Sequence, residues 1–268
     1  MEASHQTIIN LEDIDLYCLE TTMEDGERQR EEEMMMFWED DELLFLSSKQ
    51  KNAFFCRNHL YRPSLFSART EGVNWLLVAS RQLRFTARTT ILAVDYFDRF
   101  LASKVEESRP WLTQLCSVAC LSLAAKLEET HVPLLLDLQV GETRFVFEAK
   151  TIQRMELVVL STLEWRMNPV TPLSFVDHIG RRMATTTNTP LHWDEFQRTC
   201  HSTLLSLIVD SRWLEYLPSV LAAATMIYVL EKLQLLPGSS NQILSLLNIT
   251  KEDADGCYQF LVKYLSND

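Results

Sequence analysis

Residues 111–130 read "WLTQLCSVACLSLAAKLEET", and their spacing decides the fold. Leu112, Leu115, Cys116, Ala119, Cys120, Leu123, Ala124 and Leu127 recur at intervals of three and four, the period of one helix face. So broad a stripe of small and medium side chains suits a central helix touched by several neighbours. Working outward, "SLFSARTEGVNWLLVASRQL" (64–83) predicts a helix opened by a Ser cap, with Val73, Leu76 and Leu77 inside. "TARTTILAVDYFDRFLAS" (86–103) aligns Val94, Phe97 and Leu101, and "EAKTIQRMELVVLSTLEW" (148–165) aligns Ile152, Met155, Val159 and Leu163.

"MNPVTP" (167–172) interrupts the pattern with two prolines and reads as a short linker. A second helical set follows in "LSFVDHIGRRM", "WDEFQRTCHSTLLSLIVDS", "LPSVLAAATMIYVLEK" and "KEDADGCYQFLVKYL". The Ala-rich "SVLAAATMI" is the third major helix of its set, as "SVACLSLAAK" is of the first, a faint internal repeat. With 6 Gly and 8 Pro in 268 residues, strand punctuation is scarce. The expected architecture is all-α: two tandem five-helix domains over 63–168 and 169–268. A helix over 41–62 precedes them, ending before Pro63, and residues 1–40 form a disordered acidic tail.

Charge is unevenly placed. Residues 1–42 carry 15 acidic and 2 basic side chains, so nearly all of the net charge of −12 belongs to the tail and the body is close to neutral. Neither part resembles a basic nucleic-acid footprint. The six cysteines form no C-x-x-C pair and have no His at metal-ligand spacing, so they read as reduced thiols filling a core, with no metal or cofactor implied. The acidic start argues against a secretory or mitochondrial leader, and the apolar run Leu221–Leu230 is too short to span a bilayer. No Walker, dinucleotide-binding or H-E-x-x-H motif appears, and the carboxylates of Glu128 and Glu129 point about 100° apart on a helix, so nothing asks for an enzyme.

Within the tail, "LEDIDLYCLE" (11–20) places Leu16, Cys18 and Glu20 two residues apart. An extended segment turns these three side chains to one face, as a peptide ligand does in a groove. Alternatively, Ile14, Leu16 and Leu19 pack as a short helix. An acidic tail on an all-helical body favours the ligand, its acids steering it toward a basic rim.

At "WLTQLCSVACLSLAAKLEET" and "RMELVVLSTLEWRMNPVTPLSFV" the chain resembles the cyclin box. With the L-x-C-x-E pattern it is similar to plant D-type cyclins. The resemblance covers about residues 54–265 and implies two cyclin folds. It also implies an activating regulatory subunit of a cyclin-dependent kinase, promoting G1/S entry in nucleus and cytoplasm. Docking to a retinoblastoma-related protein through Leu16, Cys18 and Glu20, and contact with kinase-inhibitor proteins, follow from the same likeness. No nucleic acid or membrane is implied.

Lys126, Leu127, Glu128 and Glu129 match the family's kinase-contact motif, and Glu156 matches its second contact. A Lys at a helix C-terminus suits the dipole there, and a Lys and a Glu on adjacent helices would cap opposite ends of a partner helix. Leu127 and Leu160 are the apolar residues expected beside them. "ARTEGVNW" (68–75) matches the first-helix signature, with Arg69 and Asp98 where the family has an internal ion pair and Trp75 where it has a substrate-docking patch. Ala68, Glu71, Gly72 and Val78 replace the residues that usually complete that patch, which argues against R-x-L docking. Restoring apolar side chains at 71 and 72 is expected to rebuild it. Rival readings are a transcription-type cyclin-fold protein and a scaffold without kinase activation.

Overall fold

A computed structural model describes residues 40–50, 63–104, 109–141, 144–186, 193–235 and 239–266. Every regular element among them is helical. We number α1 over 40–50, then α2 Pro63–Gln82, α3 Ala87–Lys104, α4 Pro110–Glu128 and α5 Ala149–Thr162. After the linker come α6 Pro172–Thr186, α7 Trp193–Leu207, a 3-10 turn Ser211–Glu215, α8 Pro218–Lys232, α9 Ser239–Leu247 and α10 Lys251–Leu265. Leu43–Asp268 cluster as one unit, apart from Met1–Glu42. The tail motif and most of the expected 41–62 helix lie outside the described residues.

The quoted stretch forms the hub of the first bundle. α4 starts with Pro110, whose fixed φ and missing N–H suit the first helical position. From Leu115 to Ala125 every residue is buried, so the stripe widens to the full circumference. α2, α3 and α5 pack around it, and the small Cys, Ser and Ala side chains let them approach. The polar ones are satisfied inside: Ser117 Oγ donates to the Thr113 carbonyl at 2.9 Å.

The second bundle repeats the plan. α8 also begins with a proline and is buried from Pro218 to Ile227, with α6, α7, α9 and α10 around it. Its N-terminus has no cap of its own. Gln50, at the end of α1, reaches across: its amide accepts from Ser219 N–H and donates to Ser219 Oγ, both at 3.0 Å. A distant side chain thus does an N-cap's work.

Two expectations change in detail. α2 begins at Pro63 rather than at a Ser cap, since proline pre-sets the helical φ. In the first bundle the described residues hold four α-helices, and the segment before α5 makes only one turn, Leu138 N–H donating to the Leu134 carbonyl at 3.2 Å. Pro133 and Gly141 bracket too short a run to sustain a helix.

Candidate functional site

Lys126 stands in the last turn of α4 and Glu156 on α5. Glu156 lies on the same side of its helix as Ile152 and Val159, four residues after one and three before the other, so the apolar stripe carries it inward until it is 7% exposed. Lys126 Nζ donates to Glu156 Oε1 at 2.6 Å, and Ser122 Oγ donates to the same oxygen. The near-buried carboxylate is therefore paired, as its desolvation requires. Both bonds fall on Oε1, while Lys126 remains 45% exposed in its side chain. The second carboxylate oxygen and two ammonium protons are left for an incoming group. The two charges hold each other in place instead of standing apart.

Exposed apolar side chains neighbour this pair in the chain. Leu127 is half exposed, Leu157 and Trp165 more so, and Leu160 is partly buried against the core. Of thirteen large apolar residues exposed in the described structure, eight fall between Leu127 and Trp165 and one, Val262, in the second bundle. Sequence reasoning missed Trp165. It follows Glu164, and both have positive φ, 54° and 60°. Trp165 N–H donates to the Leu160 carbonyl at 3.0 Å while Arg99 donates to the Arg166 carbonyl at 2.8 Å, fixing the turn that leaves the indole outside.

The other predicted residues are placed differently. Glu128 is exposed and lines a small cavity of about 150 Å³ with Arg88 and Asp177. Glu129 turns to α3: its Oε1 accepts from Thr86 N–H at 2.8 Å and from Thr89 Oγ, capping that helix. One oxygen of its carboxylate thus holds the start of α3. Arg69 and Asp98 are both buried; the guanidinium donates to the two carboxylate oxygens at 2.8 and 3.1 Å. Arg69 also donates to the Ile208 and Val209 carbonyls just past α7, at 3.0 and 3.1 Å. One side chain therefore ties the first bundle to the second.

Trp75 lines a groove of about 460 Å³ between α2 and α4, with Glu71, Val78, Gln114 and Arg144 around it. Ala68 is buried and does not line it. Gly72 does, but for a reason of packing: a Cβ there would sit 2.2 Å from the Phe97 ring. The expectation that side chains at both 71 and 72 would rebuild the patch is corrected for 72, where no room exists.

Among the described residues no three or more His, Cys, Asp or Glu are placed to hold a metal ion. No described helix is long and apolar enough to cross a membrane. Cys116, Cys120, Cys200 and Cys257 are buried and unbridged. Burial pushes the Cys257 thiol up to about 12 and raises Cys116 and Cys200 as well, so these stay protonated and inert at neutral pH.

Comparison with known families now places the chain. The model of the cyclin N-terminal domain matches residues 33–168, and that of the cyclin C-terminal domain matches 170–268. The chain belongs to the cyclin family. Within it, the chain is similar to the plant D-type members. It is 49% identical to Cyclin-D3-1 of Arabidopsis thaliana over 220 residues, covering 81% of this chain and 57% of that relative. To Cyclin-D2-2 of Oryza sativa subsp. japonica it is 38% identical over 201 residues, 74% of this chain and 55% of the relative. The chain spans just over half the length of these relatives. Among solved structures, a viral cyclin from herpesvirus saimiri superposes with a TM-score of 0.64 at 16% identity, over 81% of this chain and 96% of that one. A chain of the CAK complex from Chaetomium thermophilum gives 0.52 at 13% identity, over 83% and 74%. At such identities the likeness concerns the fold alone.

Proposed function

We propose that this chain is the activating regulatory subunit of a cyclin-dependent serine/threonine kinase. It would act in nucleus and cytoplasm at the G1/S transition and direct the kinase to a retinoblastoma-related protein. The observation that carries the reading is the Lys126–Glu156 pair, whose chain neighbours Leu127 and Leu157 are both exposed. A helix of the kinase laid on that surface would bury the apolar side chains. One end of that helix would meet the Lys126 ammonium with its carbonyl or carboxylate oxygens, while Glu156 holds the ammonium in place, which fixes register. Because the pair is already formed, little side-chain freedom is lost on docking.

Leu16, Cys18 and Glu20 would bind the retinoblastoma-related protein as an extended ligand. The groove beside Trp75 would serve substrates poorly through R-x-L segments, since Glu71 puts a carboxylate where an aliphatic side chain is wanted; kinase-inhibitor proteins would meet the same obstacle. The near-neutral body speaks against the transcription-type reading, and the Lys126–Glu156 face against a scaffold without a kinase. Co-purification from plant cells, with bound kinases identified by mass spectrometry, tests the proposal: a cyclin-dependent kinase is expected in near-stoichiometric yield, and its absence would refute the reading. A peptide of residues 10–24 is expected to bind the retinoblastoma-related protein, and Cys18→Ala or Glu20→Lys to weaken it by about 1–3 kcal/mol.

A further inference from the structure

Glu71, Trp75, Val78 and Gln82 recur at intervals of four, three and four, so one face of α2 forms a wall of the groove of about 460 Å³. The segment before α5 supplies part of the α4 side. Phe145 N–H donates to Gln114 Oε1 at 3.1 Å and its carbonyl accepts from Gln114 Nε2 at 2.7 Å. Those two bonds tie the segment to α4 and hold the adjacent Arg144, which also lines the groove, on that side. Gly141, at φ 83°, abuts the Val78 end: a Cβ there would lie 3.7 Å from Val78 Cγ1. The groove is therefore preformed, with a carboxylate from α2 and a guanidinium from the α4 side. Both residues are exposed, and neither has an ion-pair partner among the described residues.

We propose that this groove docks an extended segment of a partner protein whose side chains run in the order apolar, acidic, basic. Charge complementarity names the occupant: a basic side chain meets Glu71 and an acidic one meets Arg144. In an extended segment adjacent side chains point to opposite sides, and alternate ones share a side about 6.6 Å apart. Neighbouring acidic and basic residues would thus face Arg144 and Glu71 across the groove. The apolar residue, two before the basic one, returns to the α2 side. Trp75 waits there, four residues from Glu71 and about 6 Å along the helix. An R-x-L segment would lay its apolar side chain on Glu71, and reversing the order brings the basic side chain to it instead. The carboxylate that spoils the groove for one ligand selects another. The inference rests on the reading of the patch beside Trp75 and is independent of the kinase-binding face.

The test titrates the full chain against two fluorescein-labelled peptides, AALERAA and AARELAA, by fluorescence anisotropy. AALERAA should bind saturably and about tenfold more tightly than the reversed order. Glu71→Lys should weaken AALERAA about tenfold with unchanged melting, and AALEEAA, with glutamate for the arginine, should recover the loss. Arg144→Glu should act likewise, with AALKRAA recovering it. No saturable binding of AALERAA, equal binding of the two orders, or undiminished affinity in Glu71→Lys would each overturn the proposal. Loss in Glu71→Lys without recovery by AALEEAA would overturn it too, since the side chain would then only shape the groove. Kinase binding should be unchanged in Glu71→Lys, and peptide binding unchanged in Lys126→Glu, so that failure of either reading is seen apart from the other.

Discussion

α4 and α8 hold the same place in their bundles, and both are Pro-led, rich in small residues and buried through their middle turns. Their C-terminal ends differ. α8 finishes in Glu231 and Lys232; Glu231 accepts from Tyr258 Oη of α10, and the Lys232 ammonium lies over the Tyr228 ring at 5.8 Å. α4 finishes in Lys126, Leu127 and Glu128, where the Lys is bonded only to a carboxylate on the neighbouring helix and the Leu is half exposed. One bundle spends its end charges on packing against its own aromatic rings, and the other pairs them across two helices next to an exposed leucine. Under the proposed function, the same architecture serves two jobs: the second bundle braces, and the first presents.

The sharpest way to break that division is Arg69→Ala. The buried Asp98 would lose the two bonds from the guanidinium and the carbonyls past α7 their donor, which should cost about 3–5 kcal/mol. Because Arg69 joins the two bundles, denaturant unfolding followed by probes in each should separate into two transitions. A single coincident transition would show that other contacts couple the bundles.

Within the first bundle, Gly72→Leu is expected to destabilise by about 1–3 kcal/mol or more through overpacking against Phe97. Glu71→Ile, on the exposed rim of the groove, should leave melting unchanged and raise affinity for an R-x-L peptide in a fluorescence anisotropy titration. Strong R-x-L binding by the unmodified chain would mean that Glu71 is no obstacle. The smallest expected effect concerns the bracing bundle. Gln50→Ala removes the two bonds to Ser219, and thermal unfolding should report a loss of about 1–2 kcal/mol without weakening kinase binding.

The helices were legible from sequence because burial periodicity is local: Val73, Leu76, Val94, Phe97, Ile152 and Val159 are buried where their spacing puts them. Glu156 could have been placed facing inward on the same basis, being four residues after Ile152. What could not be read were relations set by distant residues. Gly72 answers to Phe97, Ser219 to Gln50, and Arg69 to carbonyls about 140 residues away. Trp165 was hidden for another reason. Its exposure follows from two successive left-handed residues that no glycine announces.

The central claim is that the first bundle binds a kinase through the Lys126–Glu156 face. Exchanging the two charges, Lys126→Glu with Glu156→Lys, tests it most directly. The exchange keeps an ion pair between α4 and α5 while reversing the polarity shown to a partner. Melting should fall by no more than about 4 °C, and binding of the purified kinase identified by co-purification, measured by calorimetry, should be lost. Unmodified affinity in a chain with both charges exchanged would contradict the account.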